Sequence, residues 1–143
     1  MSESGEKAML AIEMVTPTGP VPADDTDAVT APGELGEFEI FVGHVPFLTE
    51  LHSGVLTLGE NGPKAYYAVG PGFLEVTAAG EIKILVERAV LGSKVDLDVA
   101  KAELKETEKP VKDWKGGLDA EFSTLKARYE WAQAQIQAHE LSH

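Results

Sequence analysis

The chain has 143 residues, no cysteine and a net charge of −12. That length suits one compact domain with a small appendage, and the missing thiols exclude disulfides, cysteine nucleophiles and cysteine-ligated metals. The acidity argues against a nucleic-acid partner, because phosphate binding needs clustered Lys and Arg. No apolar stretch approaches the roughly twenty residues that cross a bilayer, and no basic-then-apolar leader stands at the N-terminus, so a soluble intracellular protein is expected.

In chain order, Met1 to Lys7 carry no pattern and read as a disordered extension. Short apolar runs then recur about every ten residues: Leu10–Val15, Ala28–Thr30, Phe38–Val42, Val55–Leu58, Ala65–Val69, Phe73–Thr77 and Ile82–Val86. Asn61-Gly62-Pro63, Gly70-Pro71-Gly72 and Ala79-Gly80 cut them. Such spacing indicates an antiparallel β-sandwich or barrel, and no helix longer than a turn fits before Asp96. Charge shifts near the same boundary: residues 1–92 hold 4 basic and 14 acidic side chains, residues 93–143 hold 8 and 10. Two modules follow, a mainly β domain over residues 8–92 and a C-terminal α-helical hairpin over 93–143.

Within the hairpin, Leu97, Ala100 and Leu104 begin one apolar stripe, with Asp96 placed to cap its helix. Leu118, Phe122, Leu125, Tyr129, Ala132 and Ile136 are spaced four, three, four, three and four apart, which is one face of a second helix. Gly116-Gly117 separates the two. Pro110 is expected to end or kink the first helix near Lys109, leaving Val111 to Lys115 as a loop or separate turn. Helices this short are marginal alone, so the hairpin needs the sandwich or a partner to stay folded.

The richest segment is GEFEIFVGHVPFLTELHSGVL, residues 36–56. Gly43-His44-Val45-Pro46 reads as a turn between apolar runs, with glycine free to take positive φ and proline fixing the exit. Gly36, Glu37, Ile40, Gly43, His44, Pro46, Thr49, Leu51 and Gly54 stand in ungapped register with the pattern of the epsilon subunit of F-type ATP synthases, which this stretch resembles. The resemblance extends to Gly70–Val76, Ile82–Ala89 and Asp96–Ala102, covers roughly residues 9–140 and is weakest from 103 onward. Glu39 stands where many members have glycine, and Val42 where they have proline.

The resemblance implies a non-catalytic central-stalk subunit. Its sandwich would bind the gamma subunit and rest on the membrane rotor ring. Its hairpin would either fold against the sandwich or extend toward the catalytic alpha/beta head and inhibit ATP hydrolysis, a bistable element that contacts can bias. Membrane association would be indirect, placing the chain peripherally on the cytoplasmic face of the bacterial inner membrane. By position, the resemblance puts His44 and Thr49 at the gamma contact and Glu37 at the ring. Each has a plainer reading, His44 as a turn histidine satisfied by backbone and Glu37 as a solvated carboxylate.

Lys105, Lys109, Lys126 and Arg128 are candidates for inhibitory contacts with an acidic surface of the head. Glu103, Glu106 and Glu108 equally suit ordinary intrahelical pairs with Lys101, Lys105, Lys109 and Lys112. No cofactor is required. Some bacterial members of the family bind regulatory ATP through Ile or Leu, Asp, two residues, Arg, Ala. Here Leu97-Asp98-Val99-Ala100-Lys101-Ala102 puts Lys101 in the arginine's place, so the planar fork is lost and Asp98 and Lys101 offer weak binding or none; Asp98 alternatively only favours the helix N-terminus.

Two other classes fit the sequence less well. A cupin-like small β-barrel enzyme needs clustered histidines and a carboxylate around a metal, but His44 and His52 are eight apart, His139 and His143 lie in the tail, and no His-x-His occurs. Nor is there a Gly-x-Ser-x-Gly elbow for a serine nucleophile, or a lysine after Gly70-Pro71-Gly72 to make a phosphate loop. A free-standing β-sandwich interaction module would use Trp114 and Trp131 as anchors.

Overall fold

The computed structural model describes residues 9–143, so the extension expected at Met1 to Lys7 lies outside the described residues. Among the described residues ten strands form: β1 (Ile12–Thr16), β2 (Gly19–Val21), β3 (Ala28–Gly33), β4 (Gly36–Phe41), β5 (Phe47–Leu51), β6 (Gly54–Leu58), β7 (Ala65–Val69), β8 (Gly72–Val76), β9 (Ile82–Val86) and β10 (Ala89–Leu91). They make two layers, β10-β7-β6-β3-β4 and β5-β8-β9-β1-β2, joined where Gly33 of β3 pairs with Leu51 of β5. The alternation read from the sequence sets which side chains go inward. Ile82, Ile84 and Val86 of β9, Leu74 and Val76 of β8 and Met14 of β1 are buried in one core with Leu56, Leu58, Val69 and Ile40 from the other layer. Burying such a side chain fully stabilises by about 1.5–3 kcal/mol, and this layer-on-layer core is what fixes the register. Tyr67, also buried, satisfies its hydroxyl by donating to the Pro22 carbonyl at 3.0 Å.

Several details depart from the sequence reading. β1 runs parallel to β9, so the pairing is not antiparallel throughout. Leu10 lies before β1 and makes an isolated bridge to Thr26. β2 and β10 are three-residue strands that Gly19-Pro20 and the short run at Ala89 concealed. β3 continues through Pro32, which loses only its donor; its carbonyl still accepts from His52 N–H at 2.9 Å.

A single 3₁₀ turn, Gly92–Lys94, leads into the hairpin. The first helix, α1 (Leu97–Lys112), is capped by the Asp96 carboxylate accepting from Val99 N–H at 3.2 Å. The second, α2 (Ala120–Leu141), is capped by Asp119 accepting from Phe122 N–H at 3.0 Å. Two expectations are corrected here. Pro110 does not end α1 near Lys109: helix runs on to Lys112, and Val111 and Lys112 are helical rather than loop. Proline removes one bond close to the helix end, where Glu106, whose carbonyl would have received it, is an exposed residue. Meanwhile Asp113 N–H donates to Lys109 at 2.9 Å, and Glu108–Lys112 and Lys109–Asp113 ion pairs span the last turn at 3.2 and 3.5 Å. Leu118 is not part of the α2 stripe; it precedes the Asp119 cap and is 87% exposed.

α2 lies across the outer face of β6 and β7, while α1 packs on α2 and meets the strands only in passing. The side chains that seat α2 on the sheet are Trp131, Ala134 and Ala138, against Val55, Tyr66 and Ala68. They form a second stripe, distinct from the one read in the sequence.

Candidate interaction surfaces and the docked hairpin

Because α2 covers one outer face of the sandwich, the two layers differ in what they present. On the uncovered β5-β8-β9-β1 face, register aligns Glu50 with Phe73, Phe73 with Leu85, Leu85 with Val15, and Val15 with Pro20, a row crossing five strands. Phe73 is 50% and Leu85 54% exposed. Their neighbours Leu74, Ile84 and Val86 point into the core, so Phe73 and Leu85 are outward apolar positions, next to the polar pair Glu75 and Lys83 on the same face. The row borders a shallow concavity of about 530 Å³ lined also by Thr16, Pro17 and Glu87. A contiguous exposed apolar row on the outer face of a sheet marks an interaction surface. The sequence reading did not single out these residues. The unbroken apolar runs Phe73-Leu74 and Ile84-Leu85-Val86, where strict alternation would put polar residues, are the signal that could have found them.

His44 lies beside the other end of this layer. It follows β4 in a turn closed by His44 N–H donating to the Phe41 carbonyl at 3.2 Å, with Gly43 at φ 89°. Its ring Nδ1–H donates to the Val45 carbonyl at 3.0 Å and the ring sits 5.0 Å from that of Phe47. Phe41, Val42 and Val45 around it are exposed apolar side chains, as is Leu48 on β5. Thr49 shares β5 but is half-buried and pairs with the core residue Leu74; Leu48 and Glu50 are the β5 residues that face outward. Glu37 lies elsewhere, exposed on β4 opposite Pro32 near the β3–β4 turn, whose tip carries the fully exposed Leu35. The structure thus places His44 and Thr49 on either side of Phe47 in the chain, and Glu37 on β4 beside Phe38, whose ring meets that of Phe47 at 6.0 Å.

A third cluster sits where the β6–β7 loop meets β3. The Asp27 carboxylate accepts from Glu60 N–H, Asn61 N–H and Asn61 Nδ2 at 3.0, 3.2 and 3.0 Å. Desolvation works to raise this carboxyl, but the bonds from Asn61 and Glu60 outweigh it and leave it below the usual carboxylate range. Glu60 is held above that range by its hydrogen bond to Glu39, then by desolvation and by repulsion from Glu39 and Asp27. Among the described residues there is no group of three or more His, Asp or Glu side chains arranged to hold a metal ion.

In the hairpin, Arg128 reaches from α2 to α1, its Nε donating to Glu103 and its Nη2 to Glu106 at 3.1 Å. Glu103 first, then Glu106, raises the guanidinium pKa further. Lys109 pairs with Asp113, and Lys101, Lys105 and Lys126 are exposed. Asp98 occupies the first turn of α1, exposed and one turn before Lys101. At the hairpin tip Trp114 stacks on Phe122 with ring centroids 5.5 Å apart and donates Nε1–H to the Gly117 carbonyl at 3.0 Å. Trp131 instead faces the sandwich, beneath the Arg88 guanidinium at 5.0 Å.

The model of the ATP synthase delta/epsilon chain β-sandwich domain matches residues 9–92. An ATP synthase epsilon chain of Magnetococcus marinus is 34% identical over 129 residues, which are 90% of this chain and 93% of that one. The chain belongs to the ATP synthase epsilon-chain family. Among other epsilon chains, that of Geobacter metallireducens is 37% identical, covering 90% of this chain and 91% of its own. The epsilon-chain fold also recurs in solved assemblies. A chain of the Euglena gracilis mitochondrial ATP synthase, in an assembly with the c-ring, superposes with TM-score 0.75 at 19% identity, over 96% of this chain and 84% of that chain. One from the central stalk and c-ring of the Tetrahymena thermophila mitochondrial ATP synthase gives 0.63 at 17%, over 94% and 98%. As an epsilon chain the protein is a component of an enzyme complex. No helix among the described residues is long and apolar enough to cross a membrane.

Proposed function

We propose that this epsilon chain is a non-catalytic subunit of the central stalk of a proton-translocating F-type ATP synthase, coupling rotation to ATP synthesis and restraining hydrolysis. The sandwich grips the gamma subunit through the bare β5-β8-β9-β1 face and the edge bearing His44 and Thr49. It rests on the rotor ring through the acidic β3–β4 turn with Glu37. The hairpin, docked here on the opposite face, swings toward the alpha/beta head to inhibit hydrolysis, with Lys105, Lys109, Lys126 and Arg128 as its cations. Asp98 and Lys101 give ATP a weak regulatory contact at the base of α1. These partners hold the chain peripherally at the cytoplasmic face of the bacterial inner membrane.

The observation that carries this reading is the asymmetry of the sandwich: one outer face is covered by α2, while the other leaves Phe73 and Leu85 exposed in a row with the half-buried Val15. A face apolar enough to be covered, on a chain whose relatives are epsilon chains, fits a permanent partner on a shaft. Mixed with the gamma subunit and passed over a sizing column, the chain is expected to elute as a stable complex of the two. A chain that elutes alone contradicts the proposal.

A further inference from the structure

The geometry points to a two-point latch, Arg88 and Gly92, that holds α2 on the sandwich and sets how readily the hairpin leaves it. It deepens the regulatory reading above and presupposes that reading's mobile hairpin. The seam is weak by construction: apart from Trp131, α2 contributes alanine methyls to it, and α1 adds almost nothing. Small side chains commit little apolar area, so a few specific contacts weigh heavily on the equilibrium.

The first contact is Arg88, in the turn between β9 and β10, its guanidinium stacked 5.0 Å above the Trp131 ring. The second is less obvious. Gly92 has a backbone conformation that any residue can adopt, yet a Cβ built there would overlap the Ala138 carbonyl and the Ser142 hydroxyl of α2's last turn. Glycine is required at this position by the docked helix and not by the local chain. The Gly92 carbonyl completes the seat by accepting from His139 Nδ1–H at 3.3 Å. Gly92 therefore lets the end of α2 approach to backbone contact, and a side chain at 92 acts against the docked state alone.

The test is amide hydrogen exchange on the full-length chain, comparing residues 131–142 with β8 and β9 as internal controls. Arg88→Gln is expected to raise the opening of α2 about threefold to fivefold, the worth of an exposed cation–π contact. Gly92→Ala is expected to raise it about tenfold or more, because the close contact is backbone and cannot yield cheaply. β8 and β9 keep wild-type protection in both variants. Unchanged exchange in α2 for Gly92→Ala overturns the latch, and so does a matching loss of protection in β8 and β9, which would make Gly92 a support of the sandwich. ATP hydrolysis by the head reconstituted with Gly92→Ala is measured in parallel. Faster exchange with lower hydrolysis supports latch and regulation together, whereas faster exchange with unchanged hydrolysis keeps the latch and contradicts the regulatory reading.

Discussion

Phe73→Ala is the sharpest probe of the bare face, because the side chain points away from the core and its loss separates binding from folding. Phe73 is 50% exposed, and an aromatic side chain offers roughly 200 Å² in all, so about 100 Å² remains for a partner to cover. At about 25 cal/mol per Å² that area is worth about 2.5 kcal/mol, an upper figure because association also costs ordering and desolvation. A loss of about 1.5–2.5 kcal/mol corresponds to gamma-subunit binding weakened by about 10-fold to 60-fold. Leu85→Ala, acting on a 54% exposed side chain, removes less, about 1 kcal/mol or roughly fivefold. Titration calorimetry with the purified gamma subunit measures both, and thermal unfolding of each variant checks that the sandwich is intact. A Kd within twofold of wild type for Phe73→Ala, with Tm also unchanged, would refute the assignment of this face.

Gly72→Ala is expected to destabilise the sandwich by about 3 kcal/mol, read by urea unfolding, since a Cβ there would collide with the Leu85 carbonyl across the β8–β9 pair. Glu60→Gln is expected to raise Tm at pH 7: the folded-state pKa of Glu60 is raised, so its charge opposes folding above that value, and the gain disappears as pH falls through the range just above 4.5. For Asp27, whose folded pKa is lowered, the sign reverses: Asp27→Asn is expected to lower Tm at neutral pH, and that penalty is expected to shrink as pH falls below 3.8. Pro110→Ala restores one helical donor in the last turn of α1 and is expected to slow amide exchange at residues 111–113, with a stability gain of about 1 kcal/mol, below the full cost of an interior proline because the site is terminal.

Most of the architecture was legible because sandwich strands bounded by Gly and Pro announce themselves. Ile82, Ile84 and Val86 alternate as a half-buried strand should, and all three are buried. The parallel pairing of β1 with β9 was not legible, since period-two alternation says which face a strand buries and nothing about its neighbour. Pro110 misled because its cost depends on where in the helix it falls, and one turn of ion pairs beyond it sustains the end of α1. The seam of α2 was hidden for a different reason: Ala134 and Ala138 read as good helix formers, and only the folded chain shows that their small size is what lets the helix lie close to β6 and β7. Of the interaction surfaces, the turn at His44 stood out by its Gly-His-x-Pro order, whereas Phe73 and Leu85 looked like more core. Arg128, legible as a cation, is in the docked hairpin committed to Glu103 and Glu106, a contact between residues 22 and 25 apart that no local pattern encodes.

Whether the sandwich couples while the hairpin regulates is decided by ATP hydrolysis of the reconstituted catalytic head. Full-length chain is compared with a version ending near Lys94, which keeps every strand and removes both helices. Faster hydrolysis is expected with the shortened chain, with its binding to the gamma subunit unchanged. Equal hydrolysis with the two chains, at equal occupancy of the head, would contradict it.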